Sequence, residues 1–543
     1  MELRFSSWTW VLALTVTAAC STSAPEMPSP MVLLSSDFPV RVTGGQIQGS
    51  LAYDDPEVAV FKGIPFAAPP LRTLRWQPPK PVVAWDGVRD ATGAGPVCMQ
   101  GGTQAQSEDC LFLNVWAPRE SIEPQPVMVW IHGGGFVSGS GSDALTEGAR
   151  LASQGVIVVT LNYRLGPFGF LAHPALSAES THNASGNYGL LDIVAALKWV
   201  QDNIETFGGD PERVTLFGQS AGAGAIMSVM LMPQSQGLFH RAIAESIFIT
   251  GWDRQLREPF SGMQSAEAQG TALVEALETN GSDTLTAMRS ATPTEVFQAA
   301  NKAGFFGLGW APNVDGWSIP DDPNEMYTNG QQHQVPLITG MNGNEGSLMT
   351  AQMSVNSVTE FEDIVRATYP TVADQALATY EVTSAEDAKP GIDRLFHDMW
   401  VAGPVTTLVR HHADTTAPTW LYHFPRIPPT EMGAALGSHH SAEIPYVFGN
   451  LLNRDPQSAN SPANHPMNVG DWTELDHLLS RAIMDHWTQF AATGDPNREG
   501  LTEWPEFSGA GRFLRFSNQI ELDTDLHTTG LSLYTNYQKA RRQ

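Results

Sequence analysis

The feature that most constrains this chain is an apolar strand, a tight turn centred on a serine, and a helix of small residues, in immediate succession. Residues 213–217 read as a buried strand, Gly218-Gln219-Ser220-Ala221-Gly222 follows, and the small-residue run 223–232 reads as a helix. On a strand-to-helix turn, flanking glycines permit the sharp backbone that lifts a serine hydroxyl above a sheet at a helix N-terminus. A G-x-S-x-G pattern alone is also met by plain glycine-rich turns, so its context carries the information. Other short runs, at 127–131, 156–161 and 335–339, are apolar without alternation, as strands buried on both faces require. Helical periodicity falls between them. In 188–206, Leu191, Val194, Leu197, Trp199, Val200 and Ile204 recur near helical spacing, and Phe207-Gly208-Gly209 stops the run. A second helix is expected at 475–492, closed by Gly494-Asp495-Pro496. Strands alternating with helices predict an α/β fold with a large, mostly parallel central sheet flanked by helices.

The 543 residues, 42% hydrophobic and 16% charged, exclude disordered and fibrous classes. With 30 Lys plus Arg against 57 Asp plus Glu, the formal charge of −27 repels polyphosphate, so no nucleic acid is expected as a partner. Arg4 precedes an apolar run, 8–19, that is too short to span a bilayer and has the length of a signal segment. Val16-Thr17-Ala18-Ala19-Cys20 resembles a bacterial lipoprotein signal, in which Cys20 is lipidated and becomes the mature N-terminus. Ordinary cleavage near Ala18-Ala19 is the alternative. Residues 1–20 thus read as a lipoprotein-like signal, the Ser- and Pro-rich 21–37 as a flexible tether, and 38–543 as one domain. The expected location is exported, as a cell-envelope lipoprotein or a secreted protein, with membrane contact only through a lipid on Cys20. Of three cysteines, Cys98 and Cys110 then remain in an oxidising compartment, where a disulfide is the expected state. CxxC, HExxH and EF-hand patterns are absent, so neither metal nor cofactor is expected.

A second glycine element, His132-Gly133-Gly134-Gly135, follows the strand ending at Ile131. Such a run turns backbone N–H groups toward a carbonyl oxygen in hydrolases of this strand order. A phosphate-binding loop is the competing reading, but no Lys follows the glycines. Further blocks are Phe61-Lys62-Gly63-Ile64-Pro65-Phe66-Ala67, Glu108-Asp109-Cys110-Leu111-Phe112-Leu113-Asn114-Val115, the segment from Phe207 through Gly222, and Thr493-Gly494-Asp495-Pro496. In these blocks the chain resembles the type-B carboxylesterase and cholinesterase family of α/β-hydrolases, in its bacterial carboxylesterase branch.

The resemblance implies an α/β-hydrolase fold and a serine carboxylesterase without cofactor, acting on small-molecule esters through an acyl-enzyme on Ser220. The acid implied is Glu345, in Gly340-Met341-Asn342-Gly343-Asn344-Glu345-Gly346-Ser347; the base is His440, three residues before Glu443. The implied oxyanion donors are the amides of Gly134, Gly135 and Ala221, and the implied bridge joins Cys98 to Cys110. Ser246, 26 residues after Ser220, stands where the family carries a serine bonded to the acid. Gln219 replaces the family's usual Glu before the nucleophile, and the Cys98–Cys110 loop lacks an aromatic residue, so choline esters are not the expected substrates. Aligning Pro312-Asn313-Val314-Asp315-Gly316 puts Phe306 and Leu308 at acyl-pocket positions. A non-catalytic adhesion or binding protein of the same fold, and an amidase or peptidase-like hydrolase, are the alternatives.

Overall fold

The computed structural model describes residues 32–34, 39–102, 104–248, 254–277, 283–305, 309–453, 465–509, 511–526 and 530–542. The signal segment, Cys20, most of the tether, Phe306 and Leu308 lie outside these residues. Eleven strands form one sheet: β1 (Ser50–Leu51), β2 (Val58–Pro65), β3 (Phe112–Pro118), β4 (Gln125–Ile131), β5 (Ile157–Leu161), β6 (Gly209–Gln219), β7 (Arg241–Glu245), β8 (Leu337–Asn342), β9 (Thr419–Phe424), β10 (Phe513–Phe516) and β11 (Ile520–Asp523). Their spatial order is β11-β10-β9-β8-β7-β6-β4-β5-β3-β2-β1. From β5 to β10 the pairings are parallel, and antiparallel strands close both sides.

The apolar runs lack alternation because both faces of the sheet are covered. Along β4, Val127, Val129 and Ile131 enter one core while Met128 and Trp130 enter the other. The first core is closed by α1 (Tyr188–Asn203), which buries Leu190, Ile193, Val194, Leu197 and Val200. The second is closed by α4 (Glu474–Thr493), held at its start by a Thr473/Asp476 capping box and buried along Leu479, Ile483, Trp487 and Phe490. Helix α1 is shorter than its periodicity suggests. Its last turn tightens to a 3-10 helix over Ile204–Phe207, and Gly208 ends it at φ 83°.

Residues 32–34, expected within the tether, pack on the domain instead. Val32 and Leu33 pair with Ser121 and Glu120, and Leu34 is buried in the first core, because three successive apolar residues find a partner strand.

The sheet brings distant segments to one edge. Strand β4 pairs with both β5 and β6, so the chain leaves β4 in one direction and returns on its other side. Such a reversal opens a crevice at the carboxyl ends of the strands, where α/β proteins bind their ligands. Register then aligns the strand ends: Ile131 opposite Gly218, Gln219 opposite Glu245, Glu245 opposite Gly340, and Asn342 opposite Phe424.

Candidate active site

Ser220 sits between β6 and α2 (Ala221–Val229) with φ 61° and ψ −125°, a conformation costly for a residue with a side chain. Its N–H donates to Glu245 O at 3.0 Å, and its carbonyl accepts from Phe248 N–H at 3.2 Å, so neighbouring segments hold the strain. The flanking glycines serve a purpose different from the one the motif suggests. Neither takes a left-handed φ; instead a Cβ on Gly218 would lie 2.5 Å from Ile131 O, and one on Gly222 only 2.0 Å from it. They are glycine because the elbow presses against the end of β4, and the serine itself carries the strained backbone.

The glycine turn after β4 lies directly alongside. Gly134 and Gly135 adopt φ 95° and 63°, and a Cβ on Gly133 would be 3.1 Å from Ser220 Cβ and 2.8 Å from Gln219 O. Ala221, buried, is the first residue of α2. His132 is anchored below the turn: its ring stacks on Tyr163 at 4.4 Å, and its Nδ1–H donates to Gly133 O at 2.9 Å. Burial lowers its pKa to about 4, which keeps it neutral. Gln219 is buried, and its Nε2 has no hydrogen-bond partner among the described residues.

Glu345 opens the short helix α3 (Glu345–Met349) just past β8. Asn344 bridges to His439 in parallel register, and its N–H donates to Ser438 O at 2.8 Å, which docks the histidine loop on the acid loop. His440 Nδ1 then meets Glu345 Oε2 at 2.5 Å, with both side chains buried. His439, its neighbour, turns Nδ1 to the carbonyl of His440 instead. The other oxygen of Glu345 accepts from Asn342 N–H at 2.5 Å and from Ser246 Oγ at 2.7 Å. Burial pushes this carboxyl up, but the charge and hydrogen bond of His440 and the donors Asn342 and Ser246 outweigh it and hold Glu345 below its ordinary value. Glu345 N–H is itself bonded to His397 Nδ1 at 3.2 Å, in a π-helical turn over His397–Ala402.

His440 Nε2 is buried and lacks a hydrogen-bond partner among the described residues, so the Ser220 hydroxyl is not bonded to it here. Such bonds are often long in ligand-free enzymes and tighten once substrate is bound. Cys98 and Cys110 are joined in a disulfide. Among the described residues, no group of three or more His, Cys, Asp or Glu could hold a metal ion, and no helix is long and apolar enough to cross a membrane.

Sequence reasoning assigned no role to two further buried carboxyls. Glu443 receives Asn342 Nδ2–H and stands 3.3 Å from Ser246 Oγ; burial and the Glu345 charge push its pKa up to about 7. Glu245, at the end of β7, accepts from Trp487 Nε1 at 2.8 Å, and burial beside Glu443 raises it well above the carboxylate range. Their one signal in the sequence was adjacency: Glu443 follows His440 by three residues and Glu245 precedes Ser246.

The carboxylesterase family model matches residues 36–534. The chain belongs to the carboxylesterase family. The enzyme is 35% identical over 530 residues to the fumonisin B1 esterase of Sphingopyxis macrogoltabida, covering 95% of this chain and 91% of that one. It is 34% identical over 481 residues to the para-nitrobenzyl esterase of Bacillus subtilis (strain 168), covering 86% and 92%. Its fold matches a solved structure of PNB esterase with a TM-score of 0.76 at 32% identity, over 92% of this chain and 99% of that one. The carboxylesterase is thus an α/β-hydrolase of the type-B family, and ester hydrolysis is its chemistry.

Proposed function

We propose that this carboxylesterase cleaves neutral carboxylic esters through an acyl-enzyme on Ser220, with His440 as base and Glu345 as its partner. The observation that carries this reading is the buried contact of 2.5 Å between His440 Nδ1 and Glu345 Oε2, at the sheet edge where Ser220 stands on its strained elbow. A serine hydroxyl is a weak nucleophile at neutral pH, so Nε2 of His440 takes its proton as the oxygen attacks and returns one to the leaving alcohol. Glu345 holds the ring and stabilises the imidazolium without taking its proton. The amides of Gly134, Gly135 and Ala221 receive the oxyanion, each worth about 3 kcal/mol of barrier. Water then releases the acid. Gln219 leaves the site without the carboxylate that favours cationic alcohols, and Phe306 and Leu308 are proposed to line the acyl side.

The presence of Ser220, Glu345 and His440 together weighs against a purely adhesive role. Export with a lipid on Cys20 is proposed from the leader sequence, and one folded domain over 38–543, joined by the packed segment 32–34, from the continuity of the sheet. A short-chain chromogenic ester tests the chemistry. Wild type is expected to release chromophore with a burst of one equivalent, and Ser220→Ala to lose about 10⁴-fold or more. Equal rates in the two proteins would refute the acyl-enzyme.

A further inference from the structure

A side chain of the disulfide loop reaches the end of the glycine turn. Gln100, two residues past Cys98, pairs its amide with the backbone of Gly139: Oε1 accepts Gly139 N–H at 2.9 Å, and Nε2 donates to Gly139 O at 2.9 Å. The second proton of Nε2 goes to Cys98 O at 3.0 Å, and Gln100 N–H is bonded to Gln106 Oε1 at 2.9 Å. Both donors and the acceptor of the amide are therefore used, and its orientation is set from within the loop that Cys98 and Cys110 close.

Gly139 in turn bears on the start of the glycine turn. It has φ 113°, and a Cβ there would stand 2.3 Å from His132 Nδ1 and 2.7 Å from Gly133 O. Gly133 is the residue packed against Ser220 and Gln219 O. Close packing thus links the disulfide loop, through Gln100, Gly139 and Gly133, to the neighbourhood of the nucleophile.

We propose that Gln100 is a positioning residue that ties the Cys98–Cys110 loop to the turn 133–139 and so holds the amides of Gly134 and Gly135 in register with Ser220. This rests on the acyl-enzyme reading above. An oxyanion hole works only if its donors are placed before charge develops, and a misplacement of about 1 Å costs about 100-fold in rate. Loss of the Gln100 pairing relaxes one end of the turn, so a smaller loss, about tenfold, is expected.

The test uses the full chain with its disulfide intact. In Gln100→Ala, kcat falls about tenfold with KM changed less than about twofold, and the inhibition constant of a trifluoromethyl ketone rises by the same factor as kcat/KM falls. The ketone binds as a tetrahedral oxyanion, so a merely destabilised fold would not make the two losses match. Gln100→Glu keeps the acceptor for Gly139 N–H and is expected to recover part of the rate. If Gln100→Ala does not melt cooperatively, the same two readings on Gln100→Glu decide. Replacing both cysteines by serine should lower kcat in the wild-type background and add nothing to Gln100→Ala. Unchanged kcat and ketone affinity in a folded Gln100 variant, or fully additive losses with the cysteine pair, would overturn the proposal. A wild type without Ser220-dependent hydrolysis would instead refute the acyl-enzyme reading itself.

Discussion

Glu443→Gln isolates the cost of the carboxyl behind the catalytic acid. Glu443 keeps its proton up to about pH 7 in the folded enzyme, against 4.5 for an ordinary glutamate, because it is buried beside Glu345. Between those values the native state binds a proton that the unfolded chain has released, so stability falls as pH rises through this window. The contribution is fully present below 4.5 and gone above about 7. Taken over the whole window it amounts to about 3 kcal/mol, most of which falls between about pH 5 and pH 8.5. Glutamine imitates the protonated form, since its oxygen accepts from Asn342 Nδ2 and its amide donates toward Ser246 Oγ. The variant has nothing to ionise at this position. Urea unfolding of both proteins, with the disulfide intact and tryptophan fluorescence as probe, should show wild type losing about 2 to 3 kcal/mol more than Glu443→Gln over that pH range. Stability curves that run parallel from pH 5 to 8.5 would refute the reasoning, because they would mean that Glu443 ionises alike in both states.

Two further outcomes follow from single contacts. Ser246→Ala removes one of the donors to Glu345; a hydrogen bond worth about 1 kcal/mol predicts about a fivefold slower acylation burst. Glu345 then also holds its proton to higher pH, and the acid limb of the rate profile moves up; an unchanged burst and profile would leave Ser246 as a buried serine only. Replacing both Cys98 and Cys110 by alanine opens a link across 12 positions and should lower the unfolding free energy by about 3 kcal/mol, read as a lower urea midpoint at unchanged slope.

Much of the fold was legible because it rests on local patterns. Runs such as 127–131 are apolar throughout because both sheet faces are covered, and α4 announces itself by its periodicity and its Gly494 stop. The resemblance located the blocks around Glu345 and His440, and each of them, like that around Ser220, lies at a strand end or in a loop beside one. Tertiary structure alone decided why Gly218 and Gly222 are glycine, since the obstacle is Ile131 O, some ninety residues earlier in the chain. It also decided the ionisation of Glu443 and Glu245. Burial raises a carboxyl's pKa and a nearby charge or donor shifts it again, and here those neighbours, Glu345, Asn342 and Trp487, arrive from other strands and helices. The same holds for Gln100, a polar residue in a short loop by sequence, whose partner Gly139 becomes adjacent only once the disulfide loop folds against the end of the turn that follows β4.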